Sequence, residues 1–149
     1  MNRHVQFDHT ADVGFDIFAR TLPQLFDEAA KALLSVIYKP HFDWMPRKYA
    51  IYCSGLGLGQ VFHEFLNTIL YESNTNELVL SKVRVFFGSE PELSNVGCQV
   101  DAVMYGWPLS DRNGRFVKGE VKAVTFCEYV PPHYNKERKE WHARVVFDV

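Results

Sequence analysis

The strongest constraint on the fold is a stripe of apolar residues that follows Thr21. Leu22, Leu25, Phe26, Ala29, Leu33, Val36 and Ile37 recur at three- and four-residue spacings, which places them on one face of an α-helix. Thr21 offers an N-cap hydroxyl, Pro23 falls in the first turn, and Gln24 stands three residues after the cap, the spacing of a capping box. Pro40 lies just past the expected end. A helix with one apolar face needs a surface to bury it against, and the preceding segment supplies one. Val13, Phe15, Ile17 and Ala19 alternate with Gly14, Asp16, Phe18 and Arg20, with Phe18 as the one break, the pattern of a half-buried strand.

A second helix is expected over about 58–72, with Val61, Phe62, Phe65, Leu66, Ile69 and Leu70 inside and Gln60, His63, Glu64 and Asn67 outside. Strands are expected over 48–53, 78–87, 98–105, 119–129 and 142–149. Asn113-Gly114 reads as a tight turn between the middle pair, because that dipeptide tolerates positive φ. Pro131-Pro132 and Asn135 open the last loop, which runs to Trp141. No repeat or Gly/Ser-rich linker divides the chain, so residues 1–149 are expected to form a single α+β domain. In it, two amphipathic helices pack on one face of a largely antiparallel mixed β-sheet.

Charge and cysteine usage narrow the function classes. The formal net charge is −2, whereas a chain that grips nucleic acid by itself usually carries a basic excess, so strong direct nucleic-acid binding is not expected. The densest basic run, residues 136–139, is interrupted by Glu137 and reads as a solvated loop. Cys53, Cys98 and Cys127 are odd in number and far apart, which argues against a disulfide framework or a zinc cage and for a reducing compartment. No stretch approaches the roughly 20 apolar residues that cross a bilayer, and no secretory signal opens the chain. No membrane association and a cytoplasmic location are therefore expected.

Several motifs resolve to ordinary structure. Gly55, Gly57 and Gly59 form a glycine-rich entry to the second helix, without the Lys-Ser/Thr ending of a phosphate loop. His63-Glu64 begins like a zinc-protease helix, but Asn67 stands where a second His is required, so His63 is read as a surface residue. Cys98 and Cys127 sit in apolar strands and are expected to pack as small hydrophobes.

Two acidic regions differ from these. Asp8-His9-Thr10-Ala11-Asp12 crowds two carboxylates, a His and a Thr into a short connection, a composition that also suits plain turn chemistry. At the other extreme, 142–149 keeps its alternation to the last residue, which sets the Asp148 carboxylate beside the α-carboxylate of Val149. Adjacent fixed anions repel unless a cation or several donors balance them, and hard divalent cations take oxygen ligands of this kind. If the sheet brings Asp12 to that end, three carboxylates converge. Lys122, within 119–125, is either a solvent-facing Lys that pairs with Glu120 or a cation held over the acidic cluster or presented to a partner.

Taken together, Asp8-His9-Thr10-Ala11-Asp12-Val13, the Gly119-Glu120-Val121-Lys122-Ala123-Val124-Thr125 segment and the final Phe147-Asp148-Val149 resemble the archease family in order and spacing. The resemblance covers essentially the whole chain. It implies a non-catalytic partner of an RtcB-type RNA ligase in tRNA splicing and RNA repair, one that promotes GTP-dependent guanylylation of the ligase and its repeated turnover. It also implies a divalent metal ion, calcium foremost, bound by Asp12, Asp148 and Val149, with Lys122, Asp8 and His9 on the same functional surface. Two other readings are a metal-dependent phosphoesterase using Asp12, Asp148 and His9, and a general chaperone or interaction module. The first needs an open metal position and a base near bound water. The second needs a sizeable exposed apolar patch.

Overall fold

The stripe after Thr21 forms the helix it predicts. In the computed structural model, which describes residues 2–9, 12–40, 45–86 and 98–149, helix α1 spans Leu22–Ile37, and the Thr21 hydroxyl accepts a hydrogen bond from the Gln24 N–H. Before it run strands β1 (Arg3–His9) and β2 (Asp12–Ala19). After it come β3 (Arg47–Gly55), α2 (Leu58–Thr75), β4 (Leu78–Phe86), β5 (Cys98–Pro108), β6 (Ala123–Asn135) and β7 (Glu140–Asp148).

The α+β class and the antiparallel pairing are as expected, but the strands divide between two sheets. One is ordered β1-β2-β7-β6 and the other β3-β5-β4. Both helices touch both sheets, so one core serves all of them. Phe26 of α1 sits at its centre, fully buried, with edge-to-face contacts to Phe62 (4.9 Å) and Phe65 (5.2 Å) of α2. Phe15, Ile17, Val145 and Phe147 close the core from the first sheet, and Val83, Val100, Ala102 and Met104 from the second.

The two-sheet arrangement corrects several local expectations. Asn113-Gly114 joins no hairpin, because β5 and β6 lie in different sheets; Asn113 has φ −94° and Gly114 opens a single 3-10 turn. The Asn113 side chain is buried and ties the connection together through Ser110 N and Pro108 O. Residues 119–122, expected to open a strand, lie outside it, since β6 begins at Ala123. Pro131-Pro132 opens no loop: β6 continues through both to Asn135, and the turn is four residues, 136–139, with Lys139 at φ 55°. An edge strand accommodates proline because its outward side needs no ladder donor. The basic run does lie in that exposed turn. Residue 87, expected to end the fourth strand, lies outside the described residues.

Cys98 is buried as expected, but Cys127 is exposed. It falls in an irregular stretch of β6 where pairing with β7 jumps from Thr125↔Val146 to Val130↔Arg144. His63 is also corrected, from surface to buried. The cause is that α2 packs against β6 as well as β3, so its covered surface is wider than one stripe.

Candidate functional site

The register of β2 against β7 decides whether the acidic regions meet. It runs Asp12↔Asp148, Val13↔Phe147, Gly14↔Val146, Phe15↔Val145 and Asp16↔Arg144. Directly opposed residues have Cα atoms about 4.5–5.5 Å apart and project to the same side of the sheet. Val13, Phe15, Val145 and Phe147 turn toward the core, so the Asp12 and Asp148 carboxylates share the other face. Both residues are half-buried. On the far side of β7, Ala123 pairs with Asp148, and the Lys122 N–H donates to the Asp148 carbonyl at 2.7 Å. The backbone of Lys122 is thereby fixed against the acidic pair while its side chain is exposed. Among the described residues it forms no ion pair with Glu120.

Backbone pairing sets His9 opposite Asp12 and Asp8 opposite Val13. The side chains of Asp8 and His9, and residues 10–11 altogether, lie outside the described residues. Two opposed carboxylates beside Val149 are an oxygen donor set suited to a hard divalent cation. No group of three or more His, Cys, Asp or Glu side chains that could hold a metal occurs among the described residues.

The outward face continues away from that pair, and this part was missed in the sequence. In the next row the Phe7 ring lies on Gly14, where a Cβ would stand 2.1 Å from the ring, and Val146 is fully buried. The Arg144 guanidinium sits 4.7 Å over the same ring. One row further, Asp16 accepts hydrogen bonds from Arg144 Nε (2.9 Å) and Nη2 (3.0 Å) and contacts His142 Nε2 (2.8 Å). Burial pushes the Asp16 carboxyl upward, but the bonds and charges of Arg144 and His142 outweigh it and hold the pKa below the ordinary 3.8. His133 then reaches His142 at 3.3 Å. The signal was present: Asp12, Gly14 and Asp16 share a period-2 face, as do His142, Arg144, Val146 and Asp148.

Behind the sheet, α2 is clasped to β6. His63 stacks on Phe126 with centroids 3.7 Å apart, and Tyr129 donates its hydroxyl to the Gly59 carbonyl. His63 Nε2 donates to the Thr125 carbonyl (3.2 Å), while Nδ1 accepts from the Asn67 amide (3.0 Å). That pattern requires the neutral imidazole. Burial holds its pKa below the ordinary 6.5, outweighing the opposing pull of the Thr125 carbonyl. On acidification the unfolded chain therefore takes up the proton first, so stability is intact above about 6.5 and is lost as pH falls through the folded-state pKa. Thermal unfolding at pH 7 and pH 5 should show a larger drop for the wild type than for His63→Gln; equal drops would refute this account.

Comparison with known proteins places the whole chain. A sequence model of the archease protein family (MTH1598/TM1083) matches residues 5–149. Protein archease of Archaeoglobus fulgidus is 30% identical over 146 residues, covering 95% of this chain and 96% of that protein. Protein archease of Pyrococcus abyssi is 28% identical over 149 residues, covering both completely. The solution structure of Methanobacterium thermoautotrophicum protein 1598 superposes with a TM-score of 0.80 at 22% identity, covering 98% of each chain, which shows the shared fold. No helix among the described residues is long and apolar enough to cross a membrane.

Proposed function

We infer the function from one premise: this chain belongs to the archease family. On that premise we propose that it is a non-catalytic activator of an RtcB-type RNA ligase in tRNA splicing and RNA repair. It promotes GTP-dependent guanylylation of the ligase and thereby repeated turnover. A divalent cation, calcium foremost, is held by Asp12, Asp148 and Val149.

The observation that carries this reading is the Asp12↔Asp148 register, which joins two acidic regions far apart in the sequence into one row. A bound cation would neutralise that row and tie the start of β2 to the end of β7. The chain's own residues do the rest. β2 and β7 hold the two carboxylates, the Lys122–Asp148 backbone bond fixes the neighbouring segment, and the exposed Lys122 side chain is left for a partner. Preorganised charge of this kind acts by orienting phosphate or a partner-bound ion without reorganisation at the moment of reaction. Asp8 and His9 border the same surface in sequence.

The test is single-turnover guanylylation of the cognate ligase with wild type, Asp12→Ala, Asp148→Ala and Lys122→Ala. The three variants should each slow the stimulated rate, and equal rates for all four proteins would reject the proposal.

A further inference from the structure

We propose that the groove between α1 and β4 is a binding site for a nucleoside polyphosphate or a closely similar phosphorylated small molecule. This rests on a different part of the molecule from the acidic row and does not depend on the ligase reading.

The groove is built by two fastenings. Near one end Asp27 of α1 accepts a hydrogen bond from the Val85 N–H of edge strand β4 (2.9 Å). At the other, Tyr38 donates its hydroxyl to the Leu78 carbonyl (3.1 Å). Between them helix and strand part to leave a cavity of about 640 Å³. That falls within the roughly 300–1,000 Å³ of small-molecule pockets. β4 changes register between Leu80 and Lys82, and Ser81 and Lys82 line the cavity there.

Its charge runs against that of the chain. Five lining residues are basic and two acidic, in a protein whose formal net charge is −2. Both acids are engaged: Asp27 with Val85 N–H and, at 3.9 Å, Arg84, and Glu28 with His4. The basic groups come from different walls. Lys31 lies on α1, Arg84 on β4, and Lys118 on the segment whose backbone N–H bonds to Ile37 O, while Lys82 lines the groove but turns its ammonium to the Tyr105 ring (4.7 Å). A di- or triphosphate chain can meet more of these walls at once than one phosphate can. Leu34, Leu80 and Val83 line the groove but are almost wholly buried, so a base or other non-polar moiety would rest chiefly on the aliphatic stems of the lysines. A lone Lys is a point-charge phosphate binder, and several together supply affinity through charge-assisted bonds.

The experiment is calorimetric titration of the full chain with ADP in low salt and EDTA, which removes any contribution from a metal at the acidic row. ADP should bind more tightly than inorganic pyrophosphate, and amide shifts in NMR should concentrate on α1 and β4. Lys31→Gln combined with Lys118→Gln should weaken ADP binding about ten-fold or more, and Arg84→Gln should weaken it separately. Lys136→Gln combined with Lys139→Gln, in the exposed turn, should leave it unchanged. Unaltered melting temperatures will separate lost binding from lost fold. The proposal is overturned if ADP does not bind at millimolar concentration, if the turn variant weakens binding as much as the groove variants, or if a single-stranded oligonucleotide binds more tightly than ADP in the same buffer.

Discussion

On the proposed metal site, Asp148→Ala is expected to weaken calcium binding by more than ten-fold and to remove any rise in melting temperature that calcium gives the wild type. Loss of an outer-shell partner typically costs about 10–100-fold in metal affinity, and removing a direct carboxylate ligand should cost no less. A ligand that binds only the folded state stabilises it by RT ln(1 + [L]/Kd), about 2.7 kcal/mol at a hundred-fold excess over Kd. Asp12→Ala should behave alike, because its carboxylate stands opposite that of Asp148 across β2 and β7. Lys122→Ala is the informative contrast. It removes an exposed ammonium and leaves the Lys122 N–H bond to Asp148 in place, so cation binding should persist while ligase activation falls. If calcium raises the melting temperature equally in wild type and Asp148→Ala, the acidic row holds no metal. Because this readout needs no ligase, it separates failure of the metal site from failure of the partnership.

Phe26→Ala is expected to cost about 3–5 kcal/mol of folding stability, the range for truncating a buried aromatic. Phe26 has no solvent exposure and meets both Phe62 and Phe65 edge to face, so its removal leaves a void between the helices that neither ring can fill alone. Against a total of about 5–15 kcal/mol for an ordinary domain, that is a large share. Equilibrium urea denaturation should show a lower midpoint at unchanged slope. A loss below about 1 kcal/mol would mean that the helices close over the gap.

Elements were legible where one local rule acted alone. Helix α1 has a single covered face, a hydroxyl cap and a clean stop, so its periodicity determined both its limits and its orientation. The meeting of Asp12 with Asp148 was legible only in part: alternation fixes which way each carboxylate points, but whether β2 and β7 are neighbours was an open condition that only the register meets. What escaped were positions where two partners compete. His63 looks solvent-facing if α2 packs on β3 alone and becomes buried once β6 closes over it. Asn113-Gly114 has the composition of a hairpin turn, yet no local pattern reveals that the strands on either side belong to different sheets. Pro131-Pro132 signals a break, and only the edge position of β6 lets the strand pass through it. The Asp16–Arg144–His142 network lies on the same alternating faces as the acidic row but becomes visible only with the register in hand.

The order β1-β2-β7-β6 sets a timetable for biosynthesis. β7 is the last of these strands to leave the ribosome, yet it lies in the middle of the sheet, between the N-terminal hairpin and β6. Until residues 140–148 emerge, β2 and β6 each keep an unpaired flank, and α1 lacks part of the surface it rests on. Such distant pairing raises the contact order and slows folding. A nascent chain stalled before residue 140 should therefore be far more open to proteases than the released protein.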